Sequence, residues 1–460
     1  MAVSPHSNSG LDIAPWKQIA ELVASGDAEG LQAVCIEQGP REVARALGRL
    51  SEEDQQFLLT HLDEAIISQL FEEMADVQAA GLVVHMEPAE AATIIEEMGS
   101  SAAADLLGEL DEARAEQIIA AMEPEAARHA RLLTQYDDHV AGGLMVTEYL
   151  SYPASLTVNQ VVEDMRSQKE KYKGYDVQYA YVLDEELRLA GVLVLRDLLL
   201  EPSGRHLSGI MRANPVHVID QDSLEELEAF FESHSYLAVP VTNVEGKMLG
   251  VVTRRAVQEA AGDRADDMYL KSQGIMGGEE LRSMPLLVRS YRRLSWLSIN
   301  IVLNMIAASV IAFYEETLSA VIALAVFIPI ISDMSGCSGN QAVAVTMREL
   351  TLGLIKPVDL FYVWSKEVTL GIINGIALGL LVALLAWVWK GNPYLGIVAG
   401  GALAMNTVIA VSIGGLIPLA LKRMKMDPAL AAGPILTTVT DMCGFFLVLS
   451  LASAMLPYLT

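Results

Sequence analysis

Asp441 stands alone in "PILTTVTDMCGFFLVLSLA" (434–452), a stretch of apolar and small residues. A charge at the centre of a bilayer costs about 2.5–3.5 kcal/mol, so such a carboxylate faces a protein interior or an aqueous path. Thr437 and Thr438 precede it by four and three residues and Gly444 follows by three, which puts them on its helical face. Pro434, two turns earlier, can bend the span and free a carbonyl. Hydroxyls, carbonyls and one carboxylate make an oxygen-donor stripe for a hard cation. Mg²⁺ gives up its waters reluctantly and suits an outer-sphere site of this kind. One carboxylate cannot replace a hydration shell, but two chains around a shared path would present two. The competing reading is a protonated Asp making an interhelical hydrogen bond.

A second apolar stretch, "FIPIISDMSGCSGNQAVAV" (327–345), carries Pro329, Asp333, Gly336, Gly339, Asn340 and Gln341 where a plain span is aliphatic. Irregular backbone at membrane depth persists only where protein packs it or where it lines a cavity. Close helix packing explains the glycines, but not Asp333, Asn340 and Gln341 together.

The elements that must position these residues begin at Leu294. Spans are expected near 294–313, 318–345, 364–389, 395–421 and 433–457, each long enough to cross a bilayer. Arg289, Arg292 and Arg293 precede the first. Arg348, Lys356 and Lys366 lie between the second and third, and Lys422, Arg423 and Lys425 between the fourth and fifth. The positive-inside rule then puts the N-terminal half in the cytosol and the C-terminus outside. The opening MAVSPHSNSG has no charged-then-apolar signal, which agrees.

Residues 1–293 hold 24 Lys and Arg against 50 Asp and Glu, a net of −26; residues 294–460 hold 7 against 8. An acidic half of that size excludes nucleic acid, which needs a basic face, and favours cations. Three scattered cysteines make neither a disulfide framework nor a zinc signature. No Ser/His/Asp set, phosphate loop or His cluster points to an enzyme.

Within the acidic half, residues 15–135 show short amphipathic helices with carboxylates on the outer face. "MEPAEAA" (86–92) and "MEPEAA" (122–127) repeat 36 residues apart, as in a superhelix of stacked helical pairs. After "AGGLM" (141–145) the pattern changes to strand, turn, strand, helix, given twice in about 60 residues each. These copies resemble a tandem CBS pair, a module that often binds adenine nucleotides. The usual polar handles are incomplete. GVLVLRD keeps Asp197 but has Val194 in the hydroxyl position, and GVVTRRA keeps Thr253 but has Ala256 in place of the Asp. Asp197 and Thr253 are then remnants, and ATP binding is not expected.

The order of parts resembles the MgtE family of magnesium channels over essentially the full length, on "DHVAGGLM" (138–145), "GCSGNQ" (336–341) and "MDPALAAGPILTTVTD" (426–441). The resemblance implies a multi-domain membrane protein. Its parts are an all-α helical superhelix (1–140), a tandem α/β CBS pair (141–261), a linker or plug helix (262–293) and a five-helix transmembrane domain (294–460). It implies an inner-membrane homodimer that admits Mg²⁺ passively. The pore follows the two-fold axis along spans two and five, with Asp441 as selectivity carboxylate, Thr437, Thr438, Gly336 and Asn340 beside it, and Asp427 at the cytosolic mouth. It also implies closure by cytosolic Mg²⁺, with Asp105, Glu225, Glu259, Asp266 and Asp267 as sensing carboxylates. Arg255 and Ala256 replace an acidic pair of the family, and Ser101 another acidic position. Direct salt bridges from Arg254 or Arg255 to the helical domain are the expected substitute, with weaker gating. The alternative is a Mn²⁺ or Co²⁺ carrier on the same scaffold, although no soft ligand faces with Asp441.

Overall fold

The computed structural model describes residues 15–172, 175, 178–275, 284 and 286–460. Residues 1–14 of the expected superhelix, and 276–283 and 285 of the expected linker, lie outside the described residues. The chain forms two compact units, Met1–Arg264 and Ala265–Thr460.

In the first unit, ten short helices run from Pro15 to Leu133. Each stops after two or three turns because the sequence supplies a new start. Asp27, Ser51 and Asp111 cap helix N-termini through their side chains, and Pro40, Pro88 and Pro124 open helices at a position where the missing N–H is harmless. The helix Pro15–Ser25 packs on Pro40–Leu47, that on Glu64–Glu72, that on Pro88–Glu96, and that on Glu112–Ala121. This next-but-one stacking is a helical superhelix, and it closes one core from Ile19 to Ala130.

The same unit continues into two small sheets. The first joins β1 (Leu150–Pro153), β2 (Tyr179–Leu183), β3 (Leu189–Val194) and β4 (Arg212–Ala213) in that order. The second joins β5 (Val218–Ile219), β6 (Ala238–Thr242) and β7 (Met248–Thr253). In each, a parallel pair separated by a helix is followed by an antiparallel hairpin, with Leu150 opposite Ala180 and Val218 opposite Val241. The two hairpins meet at a bridge between Arg188 and Lys247, and Tyr181, Leu183, Met248 and Val251 share one apolar cluster. The final helix, Arg254–Ser272, runs on without a break through the expected boundary at 261/262 and through the division between the units.

Among its described residues, the second unit holds five helices long and apolar enough to cross a membrane: Leu286–Phe313, Ile322–Thr351, Leu360–Lys390, Pro393–Arg423 and Pro428–Ala454. The first, third, fourth and fifth begin before the expected limits and the second runs on to Thr351, since a helix continues into polar flanks that hydropathy does not register. The second begins inside its expected start and the fifth ends short of its expected limit. The fourth span is the hub, packed on the second, third and fifth. Its backbone meets the second span closely at Gly414 and Gly339, where a Cβ on Gly414 would strike the Gly339 carbonyl. The second span differs from expectation. Its irregular part lies upstream, at Val321 and the 3-10 turn Ile322–Val326, while Phe327–Thr351 is a continuous α-helix. Pro329 sits in its first turn, where no intrahelical hydrogen bond is lost.

Candidate ion path and sensing carboxylates

Asp441 is half-buried on the fifth span, and its Oδ1 accepts a hydrogen bond from Ser332 Oγ of the second span. Ser335, one turn on, donates to the Ile331 carbonyl and lies 3.2 Å from the Ser332 carbonyl. Asn406 of the fourth span is fully buried and donates from Nδ2 to Ser335 Oγ at 2.6 Å and to the Thr440 carbonyl at 3.0 Å. The carboxylate is therefore bonded to the second span, and Asn406 of the fourth span bonds a residue beside each member of that pair. Ser332, Ser335 and Asn406 were not singled out from sequence. The available signals were the three-residue spacing of the serines and the only amide inside the fourth span.

Thr438 Oγ1 donates to the Pro434 carbonyl at 2.8 Å, so its proton is used within its own helix. The Thr437 carbonyl accepts from Thr440 Oγ1 at 3.0 Å, and Thr437 itself is exposed. Gly336 is buried on the second span. Asp333, Cys337, Asn340 and Gln341 form an exposed stripe along that helix, at spacings of four, three and one. Among the described residues no three His, Cys, Asp or Glu side chains come together as a metal cage.

Three of the expected sensing residues, Glu225, Glu259 and Asp267, have basic partners. Glu225 pairs with Arg264 at 2.8 Å, and the same guanidinium holds Glu228 at 2.7 Å. Glu259 lies 3.5 Å from Arg255. Asp267 lies 2.7 Å from Lys271 Nζ and keeps a buried Oδ1 without a hydrogen-bond partner among the described residues. Asp427 caps the fifth span, accepting from the Ala429 N–H at 2.8 Å, and its other oxygen lies 3.8 Å from Lys271. Asp266 is exposed on the same helix as Asp267. Asp105 differs from these: burial first, then the charges of Asp76, Asp138 and Asp263, pushes its carboxyl up to about 7.

Among the described residues, the expected salt bridges from Arg254 and Arg255 to the superhelix do not form. Arg254 donates to the carbonyls of Tyr236 and His234 and lies over the Phe231 ring, and Arg255 pairs with Glu259 one turn along. Ser100 instead joins the superhelix to the strand domain, its N–H and Oγ donating to Glu148 at 3.0 and 2.7 Å.

Comparison with known proteins gives three family matches: a divalent cation transporter description, MgtE, over residues 328–451, the MgtE intracellular N domain over 38–139, and a CBS domain over 207–263. The magnesium transporter MgtE of Enterococcus faecalis is 32% identical over 334 residues, 73% of this chain and 73% of that one. The chain belongs to the MgtE family of magnesium transporters. MgtE of Bacillus subtilis is 30% identical over 332 residues, 72% of this chain and 73% of the relative. The transported ion of this MgtE protein is Mg²⁺, and its N-terminal helical and CBS domains are cytosolic regulatory domains attached to a multi-pass membrane domain.

Among solved structures, the soluble part of a magnesium transporter is 26% identical, covering 55% of this chain and 98% of that one, with a TM-score of 0.49. The cytosolic domain of the Mg²⁺ channel MgtE in complex with ATP is also 26% identical, covering 53% of this chain and 99% of that one, with a TM-score of 0.49. That complex overturns the expectation that ATP binding is absent. The expectation counted only hydroxyl and carboxylate handles. It left out the guanidinium groups of Arg196 and Arg212, 3.1 and 3.6 Å from Asp197, a charge type suited to phosphate.

Proposed function

We propose that two copies of the chain enclose a passive Mg²⁺ path along their second and fifth spans, with Asp441 as the carboxylate that holds the hydrated ion. The single observation carrying this reading is the hold of Ser332 on Asp441, which keeps a carboxylate at mid-span between two helices. The exposed stripe of Asp333, Cys337, Asn340 and Gln341 supports the dimer, because polar groups at that depth need protein or water opposite them. Thr437, Asn340 and the small Gly336 supply oxygen donors and room along the same path, Thr438 adds its lone pairs, and Asp427 stands at the cytosolic mouth. Entry needs no other energy source, since a divalent ion crossing 100 mV gains roughly 2 × 2.3 kcal/mol.

Closure in this reading follows cytosolic Mg²⁺ binding at Asp105, Glu225, Glu259, Asp266 and Asp267. The domain limits are those at 140, 261 and 293, and the CBS pair takes ATP through Asp197, Thr253 and the flanking arginines. Flux into proteoliposomes loaded with a Mg²⁺-sensitive dye tests the pore. Asp441→Asn keeps size and removes charge, and is expected to lose at least tenfold in Mg²⁺ entry while the dimer stays intact. Normal entry through that variant would sink the reading.

A further inference from the structure

We infer that Asn406 is a positioning residue for ion passage: its amide ties Ser335 of the second span to the Thr440 carbonyl of the fifth and so fixes the Asp441 carboxylate. The inference rests on the reading of Asp441 as the ion-holding group.

The direction of each hydrogen bond is settled by chemistry. The Thr440 carbonyl can only accept, so the nitrogen of the Asn406 amide must face it, at 3.0 Å. Ser335 gives its own proton to the Ile331 carbonyl, so its oxygen accepts the second N–H of Asn406, at 2.6 Å. Both donors of one amide are thus committed to two different helices. Thr440 is the residue before Asp441, and Ser335 lies one turn from Ser332, which grips Asp441. The carboxylate is braced through its own backbone and through its hydrogen-bond partner, and both braces end on Asn406.

Packing alone does not account for this residue. Asn406 is fully buried, and its Oδ1 has no hydrogen-bond partner among the described residues. A buried unpaired acceptor is destabilising, so packing by itself gives no reason for an amide at this position. What the amide alone provides is a pair of donors set at a fixed angle. Gly444 makes room for it, since a Cβ there would lie 2.7 Å from Nδ2. The consequence concerns ion choice. Discrimination between divalent ions by a hydrated site depends on where the carboxylate is held, and a loosened carboxylate serves a larger ion nearly as well.

The test uses the full-length protein in dye-loaded liposomes, reading the half-saturating concentration for Mg²⁺ and the Mg²⁺ to Ca²⁺ entry ratio. Asn406→Leu is expected to raise half-saturation roughly fivefold to tenfold, the loss of about two buried hydrogen bonds, and to lower the ratio by a similar factor. Ser335→Ala should move both roughly twofold to threefold the same way. The double variant should be no worse than Asn406→Leu, because the two residues form one brace. A helix-packing role would lower yield and thermal midpoint but leave both readouts within twofold of wild type, and that result overturns the inference. If Asn406→Leu yields no folded protein, Ser335→Ala decides alone: unchanged half-saturation and ratio overturn it, and the expected shift supports it. Asp441→Asn in the same assay separates the two levels. If that variant is dead while Asn406→Leu behaves as wild type, only the inference about Asn406 falls. If Asp441→Asn conducts normally, the reading beneath it falls first.

Discussion

Lys271 reaches Asp427 across 3.8 Å, from the end of the helix Arg254–Ser272 to the cap of the fifth span, while its ammonium also lies 2.7 Å from Asp267. A fixed cation thus stands between two carboxylates that the family resemblance assigns to ion sensing and to the cytosolic mouth. The hydrogen bond to Asp267 holds the lysine's pKa above its ordinary value, so the contact contributes fully at neutral pH and is lost only as pH rises through that raised value. A divalent ion arriving here must displace the ammonium. Lys271→Gln is therefore expected to lower the cytosolic Mg²⁺ needed for half-maximal closure, by roughly twofold to fivefold for a partly exposed pair. Patch recordings against a Mg²⁺ series check it, and a shift to higher Mg²⁺ would show that Lys271 helps closure instead.

Ser332 supplies the hydrogen bond that holds the proposed pore carboxylate. Removing one charge-assisted bond is worth about 1.5–3 kcal/mol at most, so Ser332→Ala should weaken Mg²⁺ half-saturation by roughly tenfold. Ser332→Thr keeps the hydroxyl and should recover most of it. Equal loss in both variants would mean that side-chain volume, not the hydroxyl, matters at this position.

How much of this was legible beforehand depends on the kind of signal. Amphipathic periodicity, the repeated MEPAEAA and MEPEAA fragments and the strand, turn, strand, helix pattern are local, and they reported the superhelix and the paired sheets correctly. Asp441 stands out as a candidate because a lone carboxylate in an apolar stretch is rare. Ser332, Ser335 and Asn406 do not, because hydroxyl and amide groups in spans usually satisfy themselves on their own helix, as Thr438 does. Only the packing of three spans reveals that these do more. The irregularity expected within the second span failed for a related reason. Pro329 falls in the first turn, and Gly339 serves close packing against the fourth and fifth spans rather than a backbone break. The nucleotide expectation failed because it scored two side-chain types and ignored cationic ones.

Asp197 sits between Arg196 and Arg212, so its removal would free two guanidinium groups rather than empty the site. If ATP is held through ribose contacts to Asp197 and phosphate contacts to the arginines, each side contributes separately. Asp197→Ala and Arg212→Ala are each expected to weaken ATP binding by roughly tenfold, the cost of a charge-assisted hydrogen bond. Calorimetry on the detergent-solubilised protein measures it. An Asp197→Ala variant that binds ATP more tightly would mean that the carboxylate only screens the arginines from phosphate.

Asp105 offers a pH signature. It lies on the helix Ser100–Gly108, and burial, then Asp76, Asp138 and Asp263, pushes its carboxyl up to about 7. A carboxyl raised in the folded state binds its proton more tightly there than in the unfolded chain. Its contribution to stability is therefore complete below the ordinary Asp range near 4, and is lost as pH rises through about 7. In metal-free buffer the thermal midpoint of the cytosolic unit should fall between pH 6 and pH 8, by roughly 2–4 °C for each kcal/mol involved. Asp105→Asn should flatten that fall. Mg²⁺ should act in the opposite sense, because a bound cation favours the ionised carboxylate and expels the proton. The stabilisation by millimolar Mg²⁺ should then be larger at pH 8 than at pH 6 in the wild type, and independent of pH over that range in Asp105→Asn. A Mg²⁺ effect with the same pH dependence in both proteins would place the sensing ion elsewhere than at Asp105.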